Sequence, residues 1–473
     1  MKYSGKLSLF AATLVFITIQ SCNMKSSQSD SGLLVGIAEM NYTPDVGLDL
    51  VGNYRGDDYA SRGVHDSLYA RAFVAKGENG IKAAVLTIDI CILYKESTNF
   101  MKEYIQEETG IEKDHIMILA THTHSGPKSE LSAPKAKEYL LKAADAVVKA
   151  DQNLDPTSLY VGRSTEDRIS HNRRLQGKDG KVHMTWESLD PELVVGPLGP
   201  KDPEVITFTI NQAGKEIGSV VNFGCHVTNL TGSNWFYSAD YPGYMVESVR
   251  KIKGEDYIPM FFNGLCGNVT QINHEYGFID TYQEAQRIGY MLGVGALEAI
   301  KNQVEVKGGE VIISKEYVPL KRITITDEQL AWAGIIMERV AREGMPPIQQ
   351  DGIPDEMYAE NWIKMHKIQD QVDSVEVQVI RVGDLAFVGL PGEPFNEFGV
   401  DIKTKSPCPN TMVMGLANDY TSYFPTEVSF TQGPPGFTPY ISGYETTPGS
   451  TIYEIGSGEA LAASAIRQLK ELF

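Results

Sequence analysis

Along this chain, blocks in which nearly every residue is apolar or β-branched alternate with blocks whose apolar residues recur every three to four positions. IKAAVLTIDICIL (81–93) is of the first kind and predicts a buried strand. NFMKEYIQEETG (99–110) is of the second kind and predicts an amphipathic helix closed by Gly110. HIMILATHTHSGP (115–127) returns to strand character and ends in a Gly-Pro turn, and KAKEYLLKAADAVVKA (135–150) predicts a second amphipathic helix. This βαβα rhythm implies a sheet with helices packed on it. Further strands are predicted at SLYVGRS (158–164), EVITFTI (204–210), IGSVVNFGCH (217–226) and IPMFFNG (258–264), and helices near 243–253, 282–302, 326–343 and 356–370. VEVQVIRVGDLAFVGLP (375–391) reads as a hairpin about its VGD turn, and EALAASAIRQLKELF (459–473) as a closing helix. The fold class expected is mixed α/β, with mixed sheets packed by helices. With no internal repeat and no long linker, a single large domain over 33–473 is expected.

The N-terminus departs from this pattern. Lys2 and Lys6 precede an uncharged run, LSLFAATLVFITIQ, followed by Ser21 and Cys22. A basic start, a short apolar stretch and small residues at the cut describe an export signal. The arrangement resembles a bacterial lipoprotein signal over 1–21 with lipid on Cys22, and the polar segment after it (22–32) reads as a tether. The expected location is the cell envelope, with membrane contact through that lipid. The formal charge of −19 disfavours phosphate backbones, so nucleic acid is not an expected partner; otherwise the acidity reads as solubility. Cys91, Cys225, Cys266 and Cys408 form no CxxC pair and read mostly as small buried apolar residues, though export is compatible with one bridge.

Candidate chemistry gathers at strand ends. In THTHSGP, His122 and His124 stand at i and i+2, which on a strand puts both on one face. Two hydrogen-bonded histidines would satisfy the same pattern, so HxH alone is moderately specific. His226 ends the apolar run SVVNFGCH; Glu393 follows a strand and a Pro-Gly turn in GLPGEPF; Tyr420 and Tyr423 follow TMVMGLA. Converging strand ends of this kind would supply the nitrogen and oxygen donors that zinc takes, with one place left for water. No GxSxG elbow nominates a nucleophilic serine, and Cys266 in NGLCGN reads better as a buried thiol than as a nucleophile.

Taken in order, these motifs resemble the catalytic domain of the neutral ceramidase family. ATHTHSGP carries the strongest likeness. GVHDSLYARAFVA (63–75), AVLTIDI with Asp89, HNRR with Arg173, the strand ending in His226, NGLCGNVTQIN, LPGEPF, GLANDYTSYFPT and SGYETT follow in the same sequence. The resemblance covers roughly 35–473. It implies a zinc ion held by His122, His226, Glu393 and Tyr423, with His124 facing the substrate. It further implies that Arg173 and Tyr444 donate to the substrate carbonyl or its oxyanion, and that Thr270 supplies a hydroxyl at the site. The implied reaction is hydrolysis of an amide to an amine and a carboxylic acid, on a ceramide-like lipid.

Three departures bear on the substrate. The family loop Gly-Asp-Val-Ser-Pro-Asn reads GNVTQIN here, so Asn268 replaces the acid, Thr270 the serine, and one extra residue precedes Asn273. The glycine run that follows the family's histidine motif is not seen after Pro127, and the family's C-terminal immunoglobulin-like domain is not expected. These changes keep two other readings open: the same zinc chemistry on an ester, a lactone or an N-acyl amino sugar, and a surface lipoprotein that binds a ligand without turnover.

Overall fold

The computed structural model describes residues 1–2, 32–56, 58–187, 189–344, 354–434 and 442–473. The expected export signal and most of the tether, Cys22 included, lie outside the described residues. Two mixed sheets face each other. In the larger, the strand order is Ile258–Asn263, Lys215–Phe223, Glu204–Gln212, Asp155–Thr165, Leu34–Asn41, Tyr69–Lys76, Lys82–Ile88 and Ile116–Ala120, with Val304–Glu305 added on Asp155–Thr165. The outermost pair at each end is parallel and the strands between are antiparallel. The smaller sheet runs Val311–Lys321, Val372–Val382, Leu385–Gly389 and Asn410–Met414, the last two parallel.

The faces between the sheets carry one apolar core. Phe387 of the smaller sheet lies at its centre, its ring 5.8 Å from Phe73, 5.6 Å from Phe208 and 6.3 Å from Phe262 of the larger. Helices Lys95–Thr109, Ala136–Gln152, Tyr241–Lys253 and Tyr282–Lys301 cover the outer face of the larger sheet, and Asn396–Lys405 and Ser457–Leu472 that of the smaller. Each central strand is thus buried on both faces, which is why its sequence reads as an unbroken apolar run rather than an alternation. Helices Asp327–Glu343 and Asp355–His366 pack on each other around the fully buried Trp362.

The expected mixed α/β class and the helices are observed, with end shifts of a few residues. The run 81–93 is only partly strand: it ends at Ile88, and Ile90, Cys91 and Leu93 are apolar because the loop itself is buried. The strand of 115–127 is likewise shorter, Ile116–Ala120. A loop from the smaller sheet lies along it, with Asn418 Oδ1 accepting from the Ile118 N–H at 2.9 Å, and beyond it the Thr121 and His122 N–H groups donate to the Ile88 and Ile90 carbonyls, each at 2.9 Å. His122 therefore lies past the strand with φ of 77°, and strand alternation does not place it.

Helix Ala136–Gln152 crosses the larger sheet closely because a glycine faces its last turn. A Cβ on Gly36 would stand 1.9 Å from the Ala150 carbonyl oxygen. Backbone cannot yield as a side chain can, so Gly36→Ala is expected to cost about 1–3 kcal/mol, read as a lower thermal midpoint. An unchanged midpoint would show that the helix is not seated there.

Candidate functional site

Four loops leave strand C-termini on one side of the sandwich. His122 follows Ile116–Ala120, His226 follows Lys215–Phe223, Glu393 follows Leu385–Gly389, and Tyr423 follows Asn410–Met414. Loop-to-loop hydrogen bonds, one from a side-chain amide and two between main chains, knit them together. The Asn263 amide donates to the Thr121 carbonyl at 3.1 Å, His226 N–H donates to Val269 at 3.0 Å, and Arg173 N–H to Asn268 at 2.9 Å. Glu393–Pro394 and Tyr423–Phe424 form a short parallel ladder with Glu393 opposite Tyr423.

The side chains converge. Glu393 Oε2 lies 2.9 Å from His226 Nε2 and 3.2 Å from His122 Nε2, and His226 Nε2 lies 3.3 Å from the Tyr423 hydroxyl. All four residues are buried. Both imidazoles are oriented from behind by main chain: His122 Nδ1 faces the Cys91 carbonyl at 2.8 Å, and His226 Nδ1 the Cys266 carbonyl at 2.7 Å. A carbonyl only accepts, so each Nδ1 carries a proton and each Nε2 points inward. His124 Nε2 stands 3.4 Å from His122 Nε2 with its ring nearly perpendicular, and its Nδ1 is buried without a partner.

Burial opposes charge throughout the cluster. It is outweighed at Glu393, whose carboxyl His122 and His226 hold well below its ordinary range. It is outweighed also at His122, which Glu393 raises. His226 stays neutral, pushed down to about 4 by burial and by Arg173, and His124 is lowered by burial and by the neighbouring imidazoles. The proton bookkeeping therefore leaves a gap. Neutral His226 presents a lone pair toward a carboxylate oxygen at 2.9 Å, so of the two imidazoles only His122, at 3.2 Å, offers Glu393 Oε2 a proton. The Arg173 guanidinium, 3.0 Å from the same Nε2, supplies one cation there, and the converging imidazoles, carboxylate and phenol form a donor set that fits a divalent metal ion as well. Two imidazoles, a carboxylate and a phenol are of the type that zinc accepts.

The same loops line a cavity of about 490 Å³ that includes His124, Arg173, His226, Thr270, Tyr423 and Tyr444. Arg173 Nη1 is 3.0 Å from His226 Nε2, and its Nη2 is buried without a partner. Burial works against its charge, but Tyr423, Glu445 and Glu393 raise its pKa, so it stays cationic. The Tyr444 phenol is pushed up to about 12, by burial first and then by Glu393. Thr270 reaches the cavity wall with its hydroxyl donating to Gln271 Oε1 at 3.0 Å.

The eight residues to which the resemblance assigns a role thus meet in one place, while Tyr420 packs edge-on against Tyr94 with ring centroids 6.2 Å apart. Sequence reasoning missed the Cys91 and Cys266 carbonyls, which orient the imidazoles, and Glu445 and Trp186, which surround Arg173. Main-chain acceptors leave no mark in residue type; a buried acid beside Tyr444 in SGYETT was the one available signal. The four cysteines from Cys91 to Cys408 are free and buried, and burial pushes the Cys266 thiol well up, as befits a structural thiol.

The layered α/β sandwich with a buried His, His, Glu and Tyr cluster at its strand ends defines a class of protein built around a cation-ready pocket. Residues 33–274 match the sequence profile described as neutral/alkaline non-lysosomal ceramidase, N-terminal, and the chain belongs to that family. It is 21% identical to the neutral ceramidase of Pseudomonas aeruginosa over 94% of this chain and 73% of that one. It is 24% identical to neutral ceramidase B of Dictyostelium discoideum over 48% of this chain and 33% of that one. The crystal structure of neutral ceramidase from Pseudomonas aeruginosa superposes with a TM-score of 0.70 at 19% identity, covering 93% of this chain and 74% of that one.

The Asn268 departure has a local partner. Asn268 Nδ2 donates to Glu397 Oε2 at 2.8 Å, while its Oδ1 accepts from Asn396 N–H at 2.8 Å. Burial raises the Glu397 carboxyl pKa, and Asn268 lowers it in part. An acid with a raised folded-state pKa costs stability as pH rises through its titration. Asn268→Asp would place a second carboxyl there, so its thermal midpoint should fall below wild type at pH 8 and approach it near pH 5. Adding Glu397→Gln should restore it at neutral pH. A deficit that does not vary with pH would contradict this pairing.

Proposed function

We propose that this protein is a zinc-dependent hydrolase that cleaves the amide bond of an N-acylated, ceramide-like lipid. The observation that carries the reading is the 2.9 Å approach of His226 Nε2 to Glu393 Oε2, with the His226 ring proton held outward by the Cys266 carbonyl. Membership of the family and the names of its relatives supply the amide. His122, His226, Glu393 and Tyr423 would hold the ion. When bound, zinc lowers the pKa of a water molecule and polarises a carbonyl.

The chain's own residues do the rest. Arg173 lines the cavity, and its Nη2 donates to the substrate carbonyl oxygen, with most effect when that oxygen gains charge. The Tyr444 hydroxyl, kept protonated, is a second donor. His124 is neutral and next to the cluster, so its Nε2 is placed to take a proton from the attacking water and return it to the leaving amine. The acyl C–N bond and one O–H bond of water break, the hydroxyl going to the acyl carbon and the hydrogen to the nitrogen, to give a carboxylic acid and an amine. The basic and apolar leader up to Cys22 leads us to assign this activity to the cell envelope.

A second reading keeps this chemistry and changes the acyl compound to an ester, a lactone or an N-acyl amino sugar. It is favoured by the polar side of the cavity, where Asn53, Thr228, Thr231 and Thr270 stand. Comparing a long-chain ceramide with short N-acyl amines and N-acyl amino sugars separates the two.

The purified protein should contain about one equivalent of zinc, release fatty acid from an N-acyl amine, lose that activity in chelator and regain it with zinc. His122→Ala should remove both the metal and the turnover. Under half an equivalent of zinc, together with full activity in chelator, would sink the proposal.

A further inference from the structure

Arg173 and Arg174 are adjacent, both buried, and both end on one carboxylate. Glu445 is fully buried; its Oε1 accepts from Arg173 Nε at 2.6 Å and its Oε2 from Arg174 Nη1 at 2.6 Å. The rest of each guanidinium is used differently. Arg174 Nη2 donates to the carbonyls of Ser442 at 2.6 Å and Ser429 at 3.2 Å and to Gln432 Oε1 at 3.0 Å. Arg173 has Nη1 against His226, Nη2 without a partner, and the cavity in front of it. Trp186 and Tyr423 stand 5.2 and 5.3 Å from its central carbon.

We propose that Glu445 is a positioning residue that fixes Arg173 as an oxyanion donor, with Arg174 as the counter-anchor. A guanidinium is a rigid planar fork, so holding its Nε edge sets the direction of the unpartnered Nη2. The carboxylate cannot follow Arg173 into the cavity, because Arg174 is tied to three further acceptors. Charge favours the same reading. Two cations share one anion, so this triad carries a net positive charge, and of the two arginines only Arg173 lines the cavity, with its Nη2 buried without a partner. The group recognised is the amide oxygen of the substrate as it becomes anionic, and afterwards the carboxylate of the product. This rests on the hydrolase reading above for turnover, but not for carboxylate binding.

The test is a double-mutant cycle on the zinc-loaded, full-length protein, combining Glu445→Gln with Arg173→Lys. Two readouts are taken: kcat and KM on an N-acyl amine, and affinity for octanoate by calorimetry. Glu445→Gln should lower kcat/KM by about 10- to 100-fold, chiefly through kcat, because a misaimed donor forfeits transition-state contact. Octanoate should weaken by about tenfold, with zinc content unchanged. In the Arg173→Lys background, the same change should add less than about threefold to either loss. Equal factors in both backgrounds, or loss of zinc with Glu445→Gln, would mean a merely structural role and overturn the proposal.

Should Glu445→Gln not fold, Glu445→Asp keeps the charge and shortens the reach by one methylene. It should cost about tenfold in kcat with a near-wild-type thermal midpoint, and a kcat within about twofold of wild type overturns the proposal. Absence of any amide turnover in the wild type sinks the hydrolase reading instead, while the octanoate cycle still decides the role of Glu445.

Discussion

The structure turns on one carboxylate oxygen. Glu393 Oε2 sits among two imidazole nitrogens, deep enough that solvent cannot satisfy it. Burying an anion in this way is costly unless compensating charge arrives. The fold prepares for that charge from behind. The Cys91 and Cys266 carbonyls take the outward protons of His122 and His226, which turns both Nε2 atoms onto the same point. Main-chain acceptors are hard to move, so the orientation is as rigid as the loops. Those loops are rigid because they leave a sandwich locked by Phe387 and are stitched to each other by backbone bonds.

A second level of compensation surrounds the centre. Arg173 brings a buried cation to the edge of the cluster, and Glu445 balances it together with Arg174. The 264–273 loop follows the same logic: Asn268 supplies an amide that suits the buried Glu397. A change that looks like loss of a functional charge is, locally, a matched pair of side chains. The metal-type cluster and the Asn268 loop are therefore separable, and the cluster is complete whatever the cavity accommodates.

Much of this was legible along the chain. Two-sided burial writes itself as apolar runs, so the strands of the larger sheet and the helices stand out with only their ends misjudged. The likeness of ordered motifs brought His122, His226, Glu393 and Tyr423 together, which no spacing rule does. What was hidden is what residue type does not encode. His122 has a left-handed backbone after a strand that stops early, and the apolar loop 89–93 imitates strand because it is buried. Carbonyl acceptors have no sequence signature. The pairings of Asn268 with Glu397 and of Glu445 with two arginines join positions more than a hundred residues apart.

The central proposal is that the two Nε2 atoms, the carboxylate and the phenol would hold a single divalent ion. Anomalous diffraction at the zinc edge from crystals of the purified protein measures this directly. The account predicts one anomalous peak within bonding distance of His122 Nε2, His226 Nε2, Glu393 and the Tyr423 hydroxyl. A peak held instead by the thiols of Cys91 or Cys266, or no peak in catalytically active crystals, would contradict it.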